Sequence, residues 1–260
     1  MRAARMVARL RDQDWLAVVI ELVIVVAGIL IALQVSNWNQ ERLDQARAQS
    51  YYRRIQADLD SDRRNIGHSL AYWQKVGAYG REAMAYGETG QRPGDSDWQT
   101  ILAYYQASQI LPFELTSTTY DELRSDGDMS LIANENLRRH LADYYRLSGN
   151  GITSMILRHD PVYRKQIRGL TPWPVQEYIW NHCFRETRSF MTQQLLACPS
   201  PVSPREAAAI LASYRQSPTL LDHLRTWMST LRVSAIVLDN LRLDNQHLAA
   251  EVAAAHKNRH

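Results

Sequence analysis

The segment Trp15–Gln40, WLAVVIELVIVVAGILIALQVSNWNQ, decides the architecture because it is apolar along almost its whole length. Residues 15–33 contain a single ionisable side chain, Glu21. As a helix, about 19 residues rise roughly 28 Å, which is close to the thickness of the hydrocarbon core of a bilayer. A core helix of a soluble protein rarely stays apolar on every face for that length. The segment therefore predicts a transmembrane helix over 15–36.

Two tryptophans bracket this segment and support the same interpretation. Trp15 and Trp38 lie where an indole ring can sit half in lipid and half in water. The alternative is a cleaved signal peptide, whose apolar region is shorter and ends in small residues before the cleavage site. Val26 and Gly28 form only a poor site of that kind, and the apolar run continues beyond them. The pattern favours an uncleaved anchor in contact with the lipid bilayer.

The charges on either side of the segment predict its orientation. Lys and Arg in short flanking segments favour the cytoplasmic side of a membrane. The flank after the span carries both signs in equal number, whereas the flank before it is basic, with Arg2, Arg5, Arg9 and Arg11. We therefore expect a bacterial inner-membrane protein in which residues 1–14 are cytoplasmic and residues 37–260 form a periplasmic domain.

The glutamate within the apolar segment has two interpretations. Four residues share one stripe of the helix because they are spaced by about whole turns: Ala17, Glu21, Gly28 and Ala32. Small residues four positions apart let two helices approach closely, and a protonated carboxyl group can hydrogen-bond across such a contact. The alternative is a proton or cation path, because acids within membranes are often functional. One acid near the end of a single helix favours self-association into a homo-oligomer.

The composition limits the function of the remaining chain. Of its 260 residues, 45 % are hydrophobic and 22 % are charged, which suffices for a packed domain outside the membrane. The net charge is only +3 and both signs are interspersed, so we expect no nucleic-acid partner. The motifs GxSxG, HExxH and GxGxxG and the Walker-type glycine loop are missing. We therefore expect neither enzymatic activity nor a cofactor.

The chain has two cysteines, Cys183 and Cys198, and both fall in the predicted periplasmic part. In an oxidising compartment, such a pair is a disulfide candidate. Free thiols are one alternative, and a metal site with His182 is another. Two cysteines and one histidine without CxxC spacing are a weak metal-binding signal.

Helical periodicity dominates the rest of the sequence. Apolar residues recur at intervals of three and four to about Gly87, so the membrane helix is expected to continue into a long outer helix. Short helices are expected at 175–196, and a long amphipathic helix is expected after Ser217 and Pro218. The first and last outer helices are long enough to pair along their length. The sequence thus predicts an all-α fold, with an N-terminal transmembrane helix continuing into an elongated antiparallel extracytoplasmic bundle.

Three groups of residues are candidates for binding. Asp58, Asp60 and Asp62 mimic the start of a calcium loop, but they lie in a helical pattern that lacks the required glycine, so a solvated helix face is favoured. Tyr and Trp are abundant beside only three Phe, which suits either a core boundary or a ligand groove. Five arginines are expected on the helix of Tyr144 and Tyr145: Arg138, Arg139, Arg146, Arg158 and Arg164. They could bind an anionic ligand or form surface ion pairs, and surface ion pairs are favoured.

Two motifs in order resemble a bacterial family of uncharacterised single-pass membrane proteins that share a domain of unknown function. The first is ELVIVVAGILIALQVSNWNQER (21–42), with the motif residues Gln34, Asn37, Trp38 and Asn39. The second is TTYDELRSDGDMSLIANENLRRHLADYY (118–145), with Thr119, Glu122, Leu123, Gly127, Leu131, Ile132, Leu137, Arg138, Leu141, Tyr144 and Tyr145. The resemblance covers about a fifth of the chain. It implies membrane anchorage and a helical outer domain, and it brings no activity, cofactor or catalytic residue.

These observations favour a membrane-anchored periplasmic interaction module that self-associates and binds a membrane or envelope protein. The alternative is a ligand-sensing or accessory subunit of a membrane complex. About 14 cytoplasmic residues cannot form an output domain, so a signal would have to pass through a partner helix. An ion pathway through Glu21 and an envelope enzyme are the remaining hypotheses.

Overall fold

The computed structural model describes residues 2–257, except 93, 95, 112–114, 158–159 and 187–192. The side chains of residues 2–14, 16 and 147–157 are also outside the description, and the four N-terminal arginines are among them. The chain divides into two compact units, Met1–Tyr51 and Tyr52–His260.

The described residues form eight α-helices, one 3₁₀ turn and one small hairpin. The helices are α1 (Arg2–Thr89), α2 (Asp97–Gln106), α3 (Thr118–Ser125), α4 (Glu135–Leu157), α5 (Val162–Leu170), α6 (Trp173–His182), α7 (Pro204–Gln216) and α8 (Leu220–Lys257). The 3₁₀ turn is Asp128–Leu131, and the strands are β1 (Phe184–Glu186) and β2 (Gln193–Leu195). The prediction of a predominantly helical protein is confirmed.

Helix α1 contains the apolar N-terminal segment. Every side chain from Ile20 to Leu43 is exposed. The most apolar 18-residue stretch of this helix has a mean hydropathy of 2.8, and none of it is buried within the chain. By length and composition, α1 is the one helix among the described residues that could cross a membrane. The predicted long apolar N-terminal helix is confirmed, whereas the limits 15–36 of a membrane span stay a prediction.

Helix α1 contains five glycines and is not interrupted at Gly67, Gly77 or Gly80. Gly80 serves helix packing, since a Cβ atom there would lie 2.1 Å from the Sδ atom of Met228 on α8. The absence of a side chain therefore lets these two helices approach closely.

The outer part of α1 and the C-terminal helix α8 run antiparallel, as the sequence predicts. Near one end, the guanidinium of Arg225 contacts Glu88 at 2.9 Å. Near the other end, the amide of Asn245 donates to the backbone carbonyl of Leu59 at 3.1 Å. The remaining helices complete an apolar core in this unit that includes Ile55, Leu59, Ile66, Ile101, Leu123, Leu141, Ile167, Leu224, Leu238 and Leu248.

The prediction of helices throughout 175–196 is wrong in its second half. Helix α6 ends at His182, and β1 and β2 then pair antiparallel, with Phe184 opposite Leu195. A disulfide joins Cys183 to Cys198 across the base of this hairpin, with their Cα atoms 5.2 Å apart. The disulfide holds the two ends of the segment together. Their backbone groups therefore form hydrogen bonds between two strands instead of the hydrogen bonds within one helix.

Local capping signals explain where several helices begin. Ser203 and Glu206 form a reciprocal capping box at the start of α7, where Pro204 occupies the first turn. The side chain of Asn134 accepts hydrogen bonds from the N–H groups of Asn136 and Leu137, which starts α4. Both helix starts depend on residues only a few positions apart in the chain.

Candidate functional site

The predicted association stripe is exposed on α1. The residues Ala17, Glu21, Gly28 and Ala32 are all exposed in the single chain. A Cβ atom at Gly28 would meet no other atom within 4 Å. The stripe is therefore uncovered in the single chain.

The residues of the first motif lie on the same helix and are also exposed. Gln34, Asn37 and Asn39 present polar groups at one end of the apolar segment. The ring of Trp38 is exposed, with the guanidinium of Arg42 6.0 Å from its centroid. Trp15 is exposed near the other end. This arrangement suits side chains that anchor a helix at two interfaces.

The second motif packs against two aspartates of α1. The carboxylate of Asp62 accepts a hydrogen bond from the backbone N–H of Thr116 at 2.7 Å. The carboxylate of Asp58 accepts one from the backbone N–H of Thr119 at 3.2 Å. The two carboxylates thus accept hydrogen bonds from backbone N–H groups at and just before the start of α3. These N–H groups have no partner within the helix.

A buried polar network continues from Asp62 to α4 and α8. The hydroxyl of Tyr144 donates to Asp62 at 3.1 Å and accepts a hydrogen bond from the amide of Asn245 at 3.0 Å. The same amide also donates to the carbonyl of Leu59. Asp62 is fully buried, so the expectation of a solvated helix face is wrong for this residue. Hydrogen-bond partners from distant segments make its burial tolerable.

Burial shapes the protonation of this network. It raises the pKa of Asp62 above its usual range, against the lowering effect of the hydrogen bonds from Thr116 and Tyr144, and the neighbouring charge of Asp58 raises it further. Burial likewise raises the pKa of Tyr144, and the nearby charge of Asp62 adds to the effect. Tyr144 therefore keeps its proton and acts as a donor to Asp62.

The other residues of the second motif have structural roles in the same place. Leu123, Ile132, Leu137 and Leu141 are buried, and Leu131 is half-buried. Gly127 has a φ of 75°, a conformation that favours glycine.

Polar and aromatic contacts complete the motif. Glu122 pairs with Arg54 of α1 through both carboxylate oxygens. The ring of Tyr145 stacks on that of Tyr120, with centroids 4.9 Å apart. Arg138 donates to the carbonyl of Ile132 at 2.7 Å. The second motif therefore holds α3 and α4 against α1, although the buried hydroxyl of Tyr145 has no hydrogen-bond partner among the described residues.

A second cluster combines arginines with aromatic rings. We call it the basic–aromatic cluster, and it comprises Tyr72, Tyr105, Gln109, Arg164, Arg168 and Trp180. The guanidinium carbon of Arg168 lies 5.1 Å from the ring centroid of Tyr105 and 5.3 Å from that of Trp180. The Nη2 group of Arg168 donates a hydrogen bond to Oε1 of Gln109 at 3.1 Å. Helices α1, α2, α5 and α6 and the turn after α2 each contribute to the cluster.

Arg164 belongs to this cluster and is separated from the helix that carries Tyr144. Helix α4 ends at Leu157 and α5 begins after Pro161, whose ring interrupts the helical backbone. The Arg164 side chain is only 17 % exposed and contacts Asp160 at 3.1 Å. It also donates to the carbonyl of Ser108 at 2.8 Å.

The remaining predicted arginines mostly form ion pairs within their own helix. Arg139 contacts Glu135 at 3.3 Å, and Arg146 contacts Asp143 at 2.9 Å. Surface ion pairing is therefore confirmed for these two. Arg158 lies outside the described residues. Arg168 is the residue that sequence reasoning missed, and its place two turns into an amphipathic helix gave no signal of burial.

The positive charge in the cluster exceeds the negative charge. Burial, together with the adjacent positive charge of Arg164, lowers the pKa of Arg168 to about 10. Burial also lowers the pKa of Arg164, although Asp160 opposes that effect. Of the two guanidinium groups, Arg164 pairs with the carboxylate of Asp160, and Arg168 forms no ion pair among the described residues.

A cavity of about 260 Å³ adjoins the cluster. Tyr72 belongs to both, and the other lining residues are His68, Ala71, Lys75 and the segment 193–196, which includes β2. Two basic side chains, an aromatic ring and two leucines therefore surround the same space.

No protein-family model, curated protein or solved structure matches the chain. The two motifs accordingly support a resemblance only.

Proposed function

We propose that the protein is a single-pass membrane protein whose helical domain serves as an interaction module on the periplasmic face of a bacterial inner membrane. The observation that carries this proposal is the run of exposed apolar side chains on α1 between Ile20 and Val35. Exposing so much apolar surface to water is unfavourable, and a bilayer covers it. The basic N-terminal flank supports the orientation.

Membrane anchorage is tested by fractionating cells that produce the full-length protein. We expect the protein in the membrane fraction after carbonate washing and its release only by detergent. Protease added to spheroplasts should degrade the domain from the periplasmic side. Recovery of the uncut protein in the soluble fraction without detergent would refute anchorage, and digestion only after the cells are lysed would refute the orientation.

We further propose that the stripe of Ala17, Glu21, Gly28 and Ala32 mediates self-association. Replacing Gly28 with Leu would add bulk to the face on which backbones approach, so crosslinked oligomers should decrease in membranes. Val26→Leu is a matched control because residue 26 lies on the opposite face of the helix. Equal crosslinking of the wild type and of Gly28→Leu would reject the stripe.

Ligand sensing is the second candidate function, and the basic–aromatic cluster favours it. Its excess positive charge and neighbouring cavity are features that ion pairing within the chain does not account for. The test is the binding experiment described below.

A further inference from the structure

We propose that the basic–aromatic cluster and its cavity form a binding site for a small organic anion with an oxyanion head, a phosphate ester or a carboxylate, and a compact apolar body. This inference goes beyond membrane anchorage and gives the ligand-sensing hypothesis a ligand class. It does not depend on self-association, so the two proposals can fail separately.

The first argument is the charge of the cluster. Arg164 pairs with Asp160, whereas Arg168 pairs with no carboxylate among the described residues. The guanidinium of Arg168 lies over the rings of Tyr105 and Trp180 and donates to the amide oxygen of Gln109. A partly buried cation without a paired carboxylate is unfavourable, and a bound anion would neutralise it.

The second argument is a set of hydrogen-bond donors without acceptors. The hydroxyl of Tyr72, Nε2 of Gln109 and Nε of Arg168 are buried and have no acceptor among the described residues. Tyr72 is 5 % exposed and Gln109 is 1 % exposed, so neither side chain is at the surface. The positive charges of Arg164 and Arg168 both act on the Tyr72 hydroxyl and lower its pKa against the effect of burial. Several donors beside an unpaired positive charge match the acceptors of an oxyanion.

The third argument is the composition of the cavity. Its polar side chains include the ammonium group of Lys75 and the imidazole of His68, and none of its described lining residues carries a carboxylate. Ala71, Leu195 and Leu196 supply an apolar wall. A basic opening attracts anions, and an apolar wall favours a ligand with a hydrophobic body.

Tyr72 connects the cavity with the cluster. Tyr72 lines the cavity, its hydroxyl is buried without a hydrogen-bond partner among the described residues, and the charges of Arg164 and Arg168 act on that hydroxyl. An anion in the cavity is therefore expected to direct its head towards the Tyr72 hydroxyl and the guanidinium of Arg168. Lys75 would remain at the opening and contribute to attraction.

The test uses the full-length protein in phosphatidylcholine nanodiscs with phenyl phosphate as the probe, at constant ionic strength. Benzyl alcohol is the neutral control. We expect saturable binding of phenyl phosphate by calorimetry, with a rise in melting temperature that follows its concentration. Equal effects of phenyl phosphate and benzyl alcohol, or no saturable binding of either, would overturn the proposal.

Substitutions then locate the site. Arg168→Gln should weaken binding by about tenfold or more, and Arg168→Lys should weaken it less because it keeps the charge but loses the planar fork. Arg63→Gln is the matched control, since Arg63 is an exposed residue of α1 paired with Asp60. Equal affinity of the wild type and Arg168→Gln would overturn the site.

Tyr72→Phe keeps the proposal testable even if the Arg168 variants fold poorly. Removing a buried hydroxyl without a partner should raise the melting temperature of the ligand-free protein. The same change should weaken binding of phenyl phosphate by about threefold to tenfold, because one donor is lost. Weaker binding by a more stable protein cannot arise from unfolding. Unchanged affinity would show that Tyr72 does not donate to the anion and would overturn the proposed geometry.

An anionic lipid headgroup offers the same phosphate chemistry as a free ester. Repeating the titration in nanodiscs that contain phosphatidylglycerol separates the two sources. Weaker apparent binding of phenyl phosphate there would identify competition by the headgroup at the proposed site. An unchanged affinity would support a soluble ligand.

Discussion

The buried carboxylate of Asp62 accepts a hydrogen bond from the hydroxyl of Tyr144 at 3.1 Å, although the two residues are 82 positions apart in the chain. This contact joins α1 to α4, and Asn245 extends it to α8. Three helices therefore meet at one polar group. Asp62 should be among the most sensitive positions of the helical domain.

We expect Asp62→Ala to reduce the free energy of unfolding by about 2 to 4 kcal/mol, because it leaves the Tyr144 hydroxyl and the Thr116 N–H buried without an acceptor. The measurement is urea unfolding of the detergent-solubilised protein. Asp60→Ala is the matched control. Asp60 forms a half-exposed pair with Arg63 at 3.2 Å, and its loss should change stability by no more than about 0.5 kcal/mol. Similar losses for both variants would contradict the role given to Asp62.

The same residue should make stability depend on pH. Burial raises the pKa of Asp62 in the folded protein, so the folded state holds this proton more tightly than the unfolded state does. The native state should therefore lose stability as the pH rises from about 4 through the folded pKa. Asp62→Asn should flatten this part of the curve of unfolding free energy against pH. An identical slope in the wild type and the variant would refute the assignment.

His140 should produce pH dependence at a higher pH. Its two ring nitrogens each lie 3.0 Å from a carboxylate oxygen, one of Glu251 and one of Asp244. Burial lowers the pKa of His140, but the two carboxylates raise it more, so the net shift is upward. The contribution of His140 is then fully present below the ordinary imidazole pKa of about 6.5, and it is lost as the pH rises through the folded pKa.

Thermal melts across this pH range measure the effect. His140→Gln should remove the decline in stability that accompanies deprotonation, because the glutamine side chain does not titrate. His247→Gln changes an exposed histidine of α8 and serves as the control. The prediction fails if the His140 variant declines with pH as steeply as the wild type.

The disulfide between Cys183 and Cys198 should stabilise the domain by about 3 kcal/mol, the amount expected for a sequence separation of 15 residues. Urea unfolding with and without dithiothreitol measures this difference. The double variant Cys183→Ser/Cys198→Ser should match the reduced protein and should not respond to the reductant. The chain has no other cysteine on which the reductant could act. An equal midpoint with and without reductant would contradict the prediction.

Loss of the disulfide should also affect the proposed anion site. Gln106 donates to the carbonyl of Cys183 at 2.9 Å, and Trp98 donates to that of Cys198 at 2.8 Å, so both ends of the hairpin are attached to α2. Residues 193–196 of this segment line the cavity. The serine double variant should therefore bind phenyl phosphate more weakly at temperatures where it is still folded. Unchanged affinity would place the anion away from the hairpin.

Features that depend on neighbouring residues were accessible from the sequence. The apolar length of α1 follows from consecutive side chains, because transfer of each side chain from water to lipid is largely a local property. The capping box of Ser203 and Glu206 is equally local, since three positions separate its members. The long helix α8 follows from the regular spacing of its apolar residues.

The tertiary structure alone decided which polar residues are buried and what they contact. Asp62 and Asp60 are alike in the sequence, but Thr116, Tyr144 and Asn245 enclose only Asp62. Arg168 likewise resembles a surface arginine until Tyr105, Gln109 and Trp180 are brought around it from other segments of the chain. Burial and pKa depend on the groups that surround a side chain in space, and segments up to 186 positions apart supply those groups here. A sequence records the residue itself, whereas its dielectric surroundings and hydrogen-bond partners arise only when the helices pack.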